Sequence, residues 1–111
     1  MDRNMQLIDA FLSGASKALK LSRSPITGVI SGWKLHDGEG RYLFAWQHNQ
    51  HHILFYLRHP ALNVYPKLKS IPLGEGAYGS VNRNPSDEIT LRVETMGQAE
   101  KLIEFASDAI A

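Results

Sequence analysis

Cysteine is absent from the 111 residues, which excludes disulfides, thiolate metal sites and thiol chemistry together. A surplus of either charge is also missing. Twelve Lys and Arg stand against 11 Asp and Glu, for a net charge of +1. Strong nucleic-acid binding draws on a basic excess, so nucleic acid is not an expected partner. No apolar run approaches the roughly 20 residues a membrane-spanning helix needs, and no membrane partner is expected. The opening stretch MDRNMQLIDAFLSG carries acidic and polar residues among its apolar ones and does not read as a signal peptide. A cytoplasmic location is the simplest expectation. Hydrophobic content of 43% and charged content of 21% are ordinary for a globular chain. The length suits one domain with a modest core.

What is present is a set of periodic segments. Met5, Leu7, Ile8, Phe11, Leu12, Ala15, Ala18 and Leu19 follow helical spacing and predict an amphipathic helix over roughly residues 3 to 21. Lys17, Lys20 and Arg23 fall at or just past its end, where they suit the helix dipole. The SRSP stretch at 22–25 reads as a break. A strand follows over about Gly28 to His36, and Asp37-Gly38-Glu39-Gly40 turns the chain into the hairpin RYLFAWQHNQHHILFYLRHP, Arg41 to Pro60. Between Pro60 and Pro66 only a short helical turn fits, and a brief strand is predicted near Ala77 to Asn82. In Glu88 to Val93, Ile89, Leu91 and Val93 alternate with polar residues as in a half-buried strand. Thr95 and Gln98 have capping-box spacing and open a helix from about Met96 to Ile110. The expected fold is a two-layer α+β sandwich, an antiparallel sheet covered on one face by the terminal helices.

Alternation assigns the hairpin's side chains to faces. With Asn49-Gln50 as a two-residue turn, Trp46 opposes Ile53, Phe44 opposes Phe55, and Tyr42 opposes Leu57; these share a face with Val29, Ser31, Trp33 and Leu35. This face is almost wholly apolar and is the expected helix-packing side. The opposite face holds Ile30, Leu43, Ala45, Leu54 and Tyr56 as an apolar centre, with Lys34, Arg41 and Arg58 as a cationic rim. That mixture predicts a contact surface. The alternatives are that residues 59–85 fold over it, or that it is a half-greasy sheet face with no ligand.

Several motifs point elsewhere. Gly74-Glu75-Gly76-Ala77-Tyr78-Gly79 spells G-x-G-x-x-G, but Asn84-Pro85 follows too soon for the helix a dinucleotide site requires. Three of the five histidines, His48, His51 and His52, surround the hairpin turn. His48 and His51 are the metal candidates. Two ligands are too few and no carboxylate is near in sequence, so solvated turn histidines are expected instead. No serine lies in a G-x-S-x-G elbow, and no catalytic residue is predicted.

The run from Trp33 to Ile110 resembles small bacterial domains of unknown function grouped with the YdhG-like, frataxin-like α+β proteins. The shared features are His52-Ile53-Leu54-Phe55-Tyr56, Gly74-Glu75-Gly76 and the closing strand and helix from Ile89 to Ile110. The resemblance implies a frataxin-like sandwich and, in frataxin-like proteins, iron held by carboxylates on the first helix and the adjoining strand edge. Here that helix has only Asp2 and Asp9, beside Lys17 and Lys20, so the acidic ridge is absent. The expected function is a binding or protein-interaction module using Lys34, Arg41, Leu43, Leu54, Tyr56 and Arg58. Its partner would be an anionic small molecule, an acidic protein or a second copy of the chain, with no cofactor. A metal-binding accessory protein is the second expectation and a small enzyme the third.

Overall fold

The computed structural model describes residues 2–28, 31–72, 81–83 and 88–111. Helix α1 spans Arg3–Ala18 and is capped by Asp2, whose carboxylate accepts from the Met5 amide. Its inward stripe is Met5, Ile8, Leu12 and Ser16, spaced by three and four residues as a helix buried along one side must be. Ser16 is tolerated there because its hydroxyl donates back to Leu12 O at 2.7 Å. Leu7, counted in the predicted stripe, is instead 54% exposed. The helix ends at Ala18, three residues short of its predicted end, and Lys20 just beyond it takes a positive φ of 62°.

Among the described residues six strands follow: β1 (Ser22–Pro25), β2 (Gly32–His36), β3 (Tyr42–His48), β4 (Ile53–Leu57), β5 (Val81–Arg83) and β6 (Ile89–Val93). They form one antiparallel sheet in the order β1-β2-β3-β4-β6-β5. The SRSP stretch is therefore a strand and not merely a break. Its proline sits on the sheet edge, where a missing amide donor is harmless. Helix α2 (His59–Val64) and a 3-10 turn (Pro66–Ser70) fill the stretch between Pro60 and Pro66 and just beyond it. Helix α3 (Met96–Ile110) closes the chain, and the capping box of Thr95 and Gln98 is formed in both directions. The fold is α+β, an antiparallel sheet packed by the N- and C-terminal helices.

The hairpin's faces follow the alternation, but its register is displaced by two residues. Trp46 opposes Phe55 and His48 opposes Ile53, with Asn49 and His52 hydrogen bonded at the turn, so Gln50 and His51 form its tip. An even displacement by itself moves no side chain off its predicted face. The row Trp33, Trp46, Phe55 and Leu91 crosses four strands, and the Trp46 and Phe55 rings stack at 6.1 Å.

One irregularity does exchange faces. Leu35 opposes Phe44 while His36 opposes Tyr42, so Leu43 is the extra residue of a β-bulge. Leu43 and Phe44 are both buried in the core, at 0% and 2% exposure. Tyr42 passes to the other side, where its ring lies 5.3 Å from that of His36. The expectations of Leu43 outward and Tyr42 inward are both corrected. Ala61, Leu62, Leu68 and Ile71 join the same core as α1 and α3, so residues 59–72 belong to the helical layer and do not fold over the outer face. Val29, Ile30 and the Gly74–Gly79 motif lie outside the described residues.

Candidate functional site

The outer face is built by cross-strand rows. Lys34, Ala45, Tyr56 and Thr90 form one row; Gly32, Gln47, Leu54 and Arg92 form the next. Gly32 is required by close approach. A Cβ there would stand 2.2 Å from Trp46 O and 2.8 Å from Ile26 Cδ1. The missing side chain lets Ile26, just after β1, lean over the sheet. Ile26, Tyr42, Ala45, Gln47, Tyr56, Arg58 and Glu88 together enclose an open cavity of about 220 Å³.

Its polar groups are held in place. The Arg58 guanidinium stacks on the Tyr42 ring at 3.7 Å, its Nη1 donates to Tyr42 O at 2.7 Å, and its Nε lies 4.0 Å from Glu88. Lys34 Nζ lies 5.6 Å from the same ring. The Tyr56 hydroxyl donates to Gln47 Oε1 at 3.0 Å. Burial pushes the pKa of Tyr56 up, and that of Tyr42 likewise against the opposing pull of Arg58. Both phenols therefore stay neutral, the single O–H of Tyr56 being engaged by Gln47. His52, at the far end beside Arg92, is held below the ordinary imidazole value by burial and then by that cation.

The predicted site residues divide accordingly. Tyr56 and Arg58 line the cavity, Lys34 reaches only the Tyr42 ring beside it, and Leu54 lies half-buried one row away. Leu43 is in the core. Arg41 is held in the β2–β3 turn, where its Nε meets Asp37 Oδ2 at 2.7 Å and its Nη1 meets Glu39 at 3.2 Å. Tyr42, Gln47, Ile26 and Glu88 are additions. Tyr42 was hidden by the bulge, and Ile26 by the glycine beneath it.

The second polar assembly lies under α1, at the edge of the inner face. Trp46 Nε1–H donates to Asp9 Oδ1 at 2.8 Å, and His48 Nε2 lies 2.5 Å from the same oxygen. His48 Nδ1 is 2.9 Å from Ser31 Oγ. His51 Nδ1 is 3.3 Å from Asp2 on the surface. The two turn histidines thus meet two different carboxylates of α1, neither of them near in sequence. Among the described residues no group of three or more His, Asp or Glu could hold a metal ion.

A larger cavity of about 400 Å³ lies between the end of α1 and β1, lined by Ser13, Gly14, Lys17, Leu21 and Arg23 among others. Arg23 is already stacked on Trp33 at 3.9 Å and bonded to Ser13 Oγ at 2.5 Å. No helix among the described residues is long and apolar enough to cross a membrane. No family model, curated protein or solved structure matches the chain.

Proposed function

We propose that the chain is a binding module whose outer sheet face receives an anionic group, and that an acidic protein side chain is its occupant. The observation that carries this reading is the cavity beside Arg58, with its aromatic walls of Tyr42 and Tyr56 and its floor of Ala45. Stacking on Tyr42 fixes the guanidinium before any ligand arrives, which reduces the ordering that binding requires. A guanidinium has five N–H donors, more than Tyr42 O engages. Lys34, opposite Ala45, adds a second cation. Glu88 repels an anion from its own side, so the approach is from β2.

The volume of about 220 Å³ is below the roughly 300–1,000 Å³ of small-molecule pockets. It suits a group of side-chain size and favours a protein partner over a free metabolite. The lack of cysteine is compatible with a cytoplasmic setting, which belongs to the same proposal.

An isotope-labelled sample titrated with a glutamate-rich hexapeptide tests this by amide shifts. Shifts should concentrate on Lys34, Ala45, Gln47, Tyr56 and Arg58 and vanish in Tyr56→Ala. Shifts centred on Lys67 and Lys69, or none at millimolar peptide, would remove the reading. If acetate moves the same amides as strongly as the peptide, the occupant is a small anion. Concentration-dependent sedimentation without ligand would make it a second copy of the chain.

A further inference from the structure

Three residues far apart in sequence form one hydrogen-bonded line under α1: Ser31 Oγ to His48 Nδ1 at 2.9 Å, and His48 Nε2 to Asp9 Oδ1 at 2.5 Å. An ionised carboxylate only accepts hydrogen bonds. Asp9 Oδ1 already takes the indole N–H of Trp46, and His48 must likewise present N–H to it. Neutral His48 therefore carries its proton on Nε2 and its lone pair on Nδ1, where the Ser31 hydroxyl donates. Exposure is divided usefully along the line. Ser31 is exposed, while the side chains of His48 and Asp9 are only 13% and 21% exposed. The base is shielded and the hydroxyl is reachable.

We propose that Ser31 is an activated nucleophile that reacts with acyl esters bearing good leaving groups. Ser31 Oγ attacks the carbonyl carbon while its proton passes to His48 Nδ1. The carbon–oxygen bond to the leaving group then breaks, and that oxygen takes the proton from His48. Water, activated by the same nitrogen, later adds to the acyl-serine and releases the acid and the free hydroxyl. Asp9 is a positioning residue that holds the imidazole in the required tautomer. Compared with the triad of serine hydrolases, the two ring nitrogens exchange roles; such relays are defined by geometry and not by sequence order. The site lies on the opposite side of the sheet from the Arg58 cavity, so either reading can fail without the other.

The test uses the whole protein with a fluorophosphonate probe and with nitrophenyl acetate, the adduct being mapped by mass spectrometry. Ser31 should be modified at least about tenfold faster than the other serines, and His48→Ala should slow it about 100-fold, the range of a positioned general base. Added imidazole should restore part of the His48→Ala rate. Asp9→Asn should slow the reaction, and Asp9→Glu, which returns the carboxylate, should recover part of it. Ser31→Ala should lose the adduct while unfolding like the wild type. Ser31 reacting no faster than the exposed Ser22 and Ser70 would overturn the proposal in the unmutated protein. Acetylation of His48 with Ser31 untouched would do so too.

Discussion

Asp9 Oδ1 accepts the indole N–H of Trp46 at 2.8 Å, tying the second turn of α1 to the middle of β3. Trp46 is fully buried, at 0% exposure. A buried indole N–H without a partner is costly, so its place in the core presupposes a carboxylate on the helix that covers it. Helix docking and sheet register thus depend on one another at this contact.

Asp9→Ala should therefore destabilise the fold by about 1–3 kcal/mol, the usual penalty for orphaning a buried donor. Asp9→Asn keeps an acceptor oxygen and should lose less. Urea unfolding followed by tryptophan fluorescence measures both. A loss below about 0.5 kcal/mol, within the range of an ordinary surface substitution, would mean that the contact carries no stability.

Two glycines should respond in opposite directions to alanine. At Gly32 the new Cβ meets Trp46 O at 2.2 Å, a backbone atom that cannot swing aside; a loss of about 1–3 kcal/mol is expected from overpacking. At Gly14, inside α1, nothing lies within 4 Å, and a gain of about 0.5–1 kcal/mol follows from helix propensity. Thermal unfolding of the two variants side by side checks the close approach beneath Ile26.

The bulge is tested by neighbouring leucines. Leu43→Ala should cost about 2–5 kcal/mol, as for any fully buried leucine, whereas Leu54→Ala on the half-buried outer face should cost less. Tyr56→Ala and Leu54→Asp should abolish outer-face binding with little change in the unfolding midpoint. Equal losses from Leu43→Ala and Leu54→Ala would place both leucines in the same kind of environment and contradict the exchange of faces.

Acid should weaken two local ties. The Asp2 carboxyl is held below its ordinary value by the Met5 amide and then by His51. At Asp37, desolvation pushes upward but is outweighed by the Arg41 amide, the Arg41 guanidinium and the Glu39 amide. A depressed folded-state value means stability that is present above the unfolded value of about 3.9 and lost as pH falls through the folded one. Denaturant midpoints should thus decline below about pH 4, less so in Asp2→Asn. An unchanged decline in that variant would exclude Asp2 as a contributor.

Much of the architecture was readable from local pattern. The stripe of Met5, Ile8 and Leu12, the alternation of Ile89, Leu91 and Val93, and the spacing of Thr95 and Gln98 each state a local geometry that the tertiary environment had no reason to override. The hairpin faces survived a wrong register because a two-residue displacement preserves the period of a strand. Ser22–Pro25 was missed because a proline in a short polar run resembles a break, and only pairing with β2 makes it an edge strand.

The sequence by itself determined which residues are apolar and with what period, and hence the order of the elements other than the edge strand Ser22–Pro25, the buried face and the half-greasy outer one. Only the tertiary structure decided that Leu43 turns inward and Tyr42 outward, since a bulge depends on what packs against both strands. Only it brought Arg58 onto Tyr42, and Asp9 to Trp46, His48 and Ser31. Those partners are separated by 16 to 39 positions in sequence, and no local periodicity records a hydrogen bond across such a distance. Burial drives the helix onto the sheet, and the polar line beneath it forms where that docking leaves donors and acceptors facing one another.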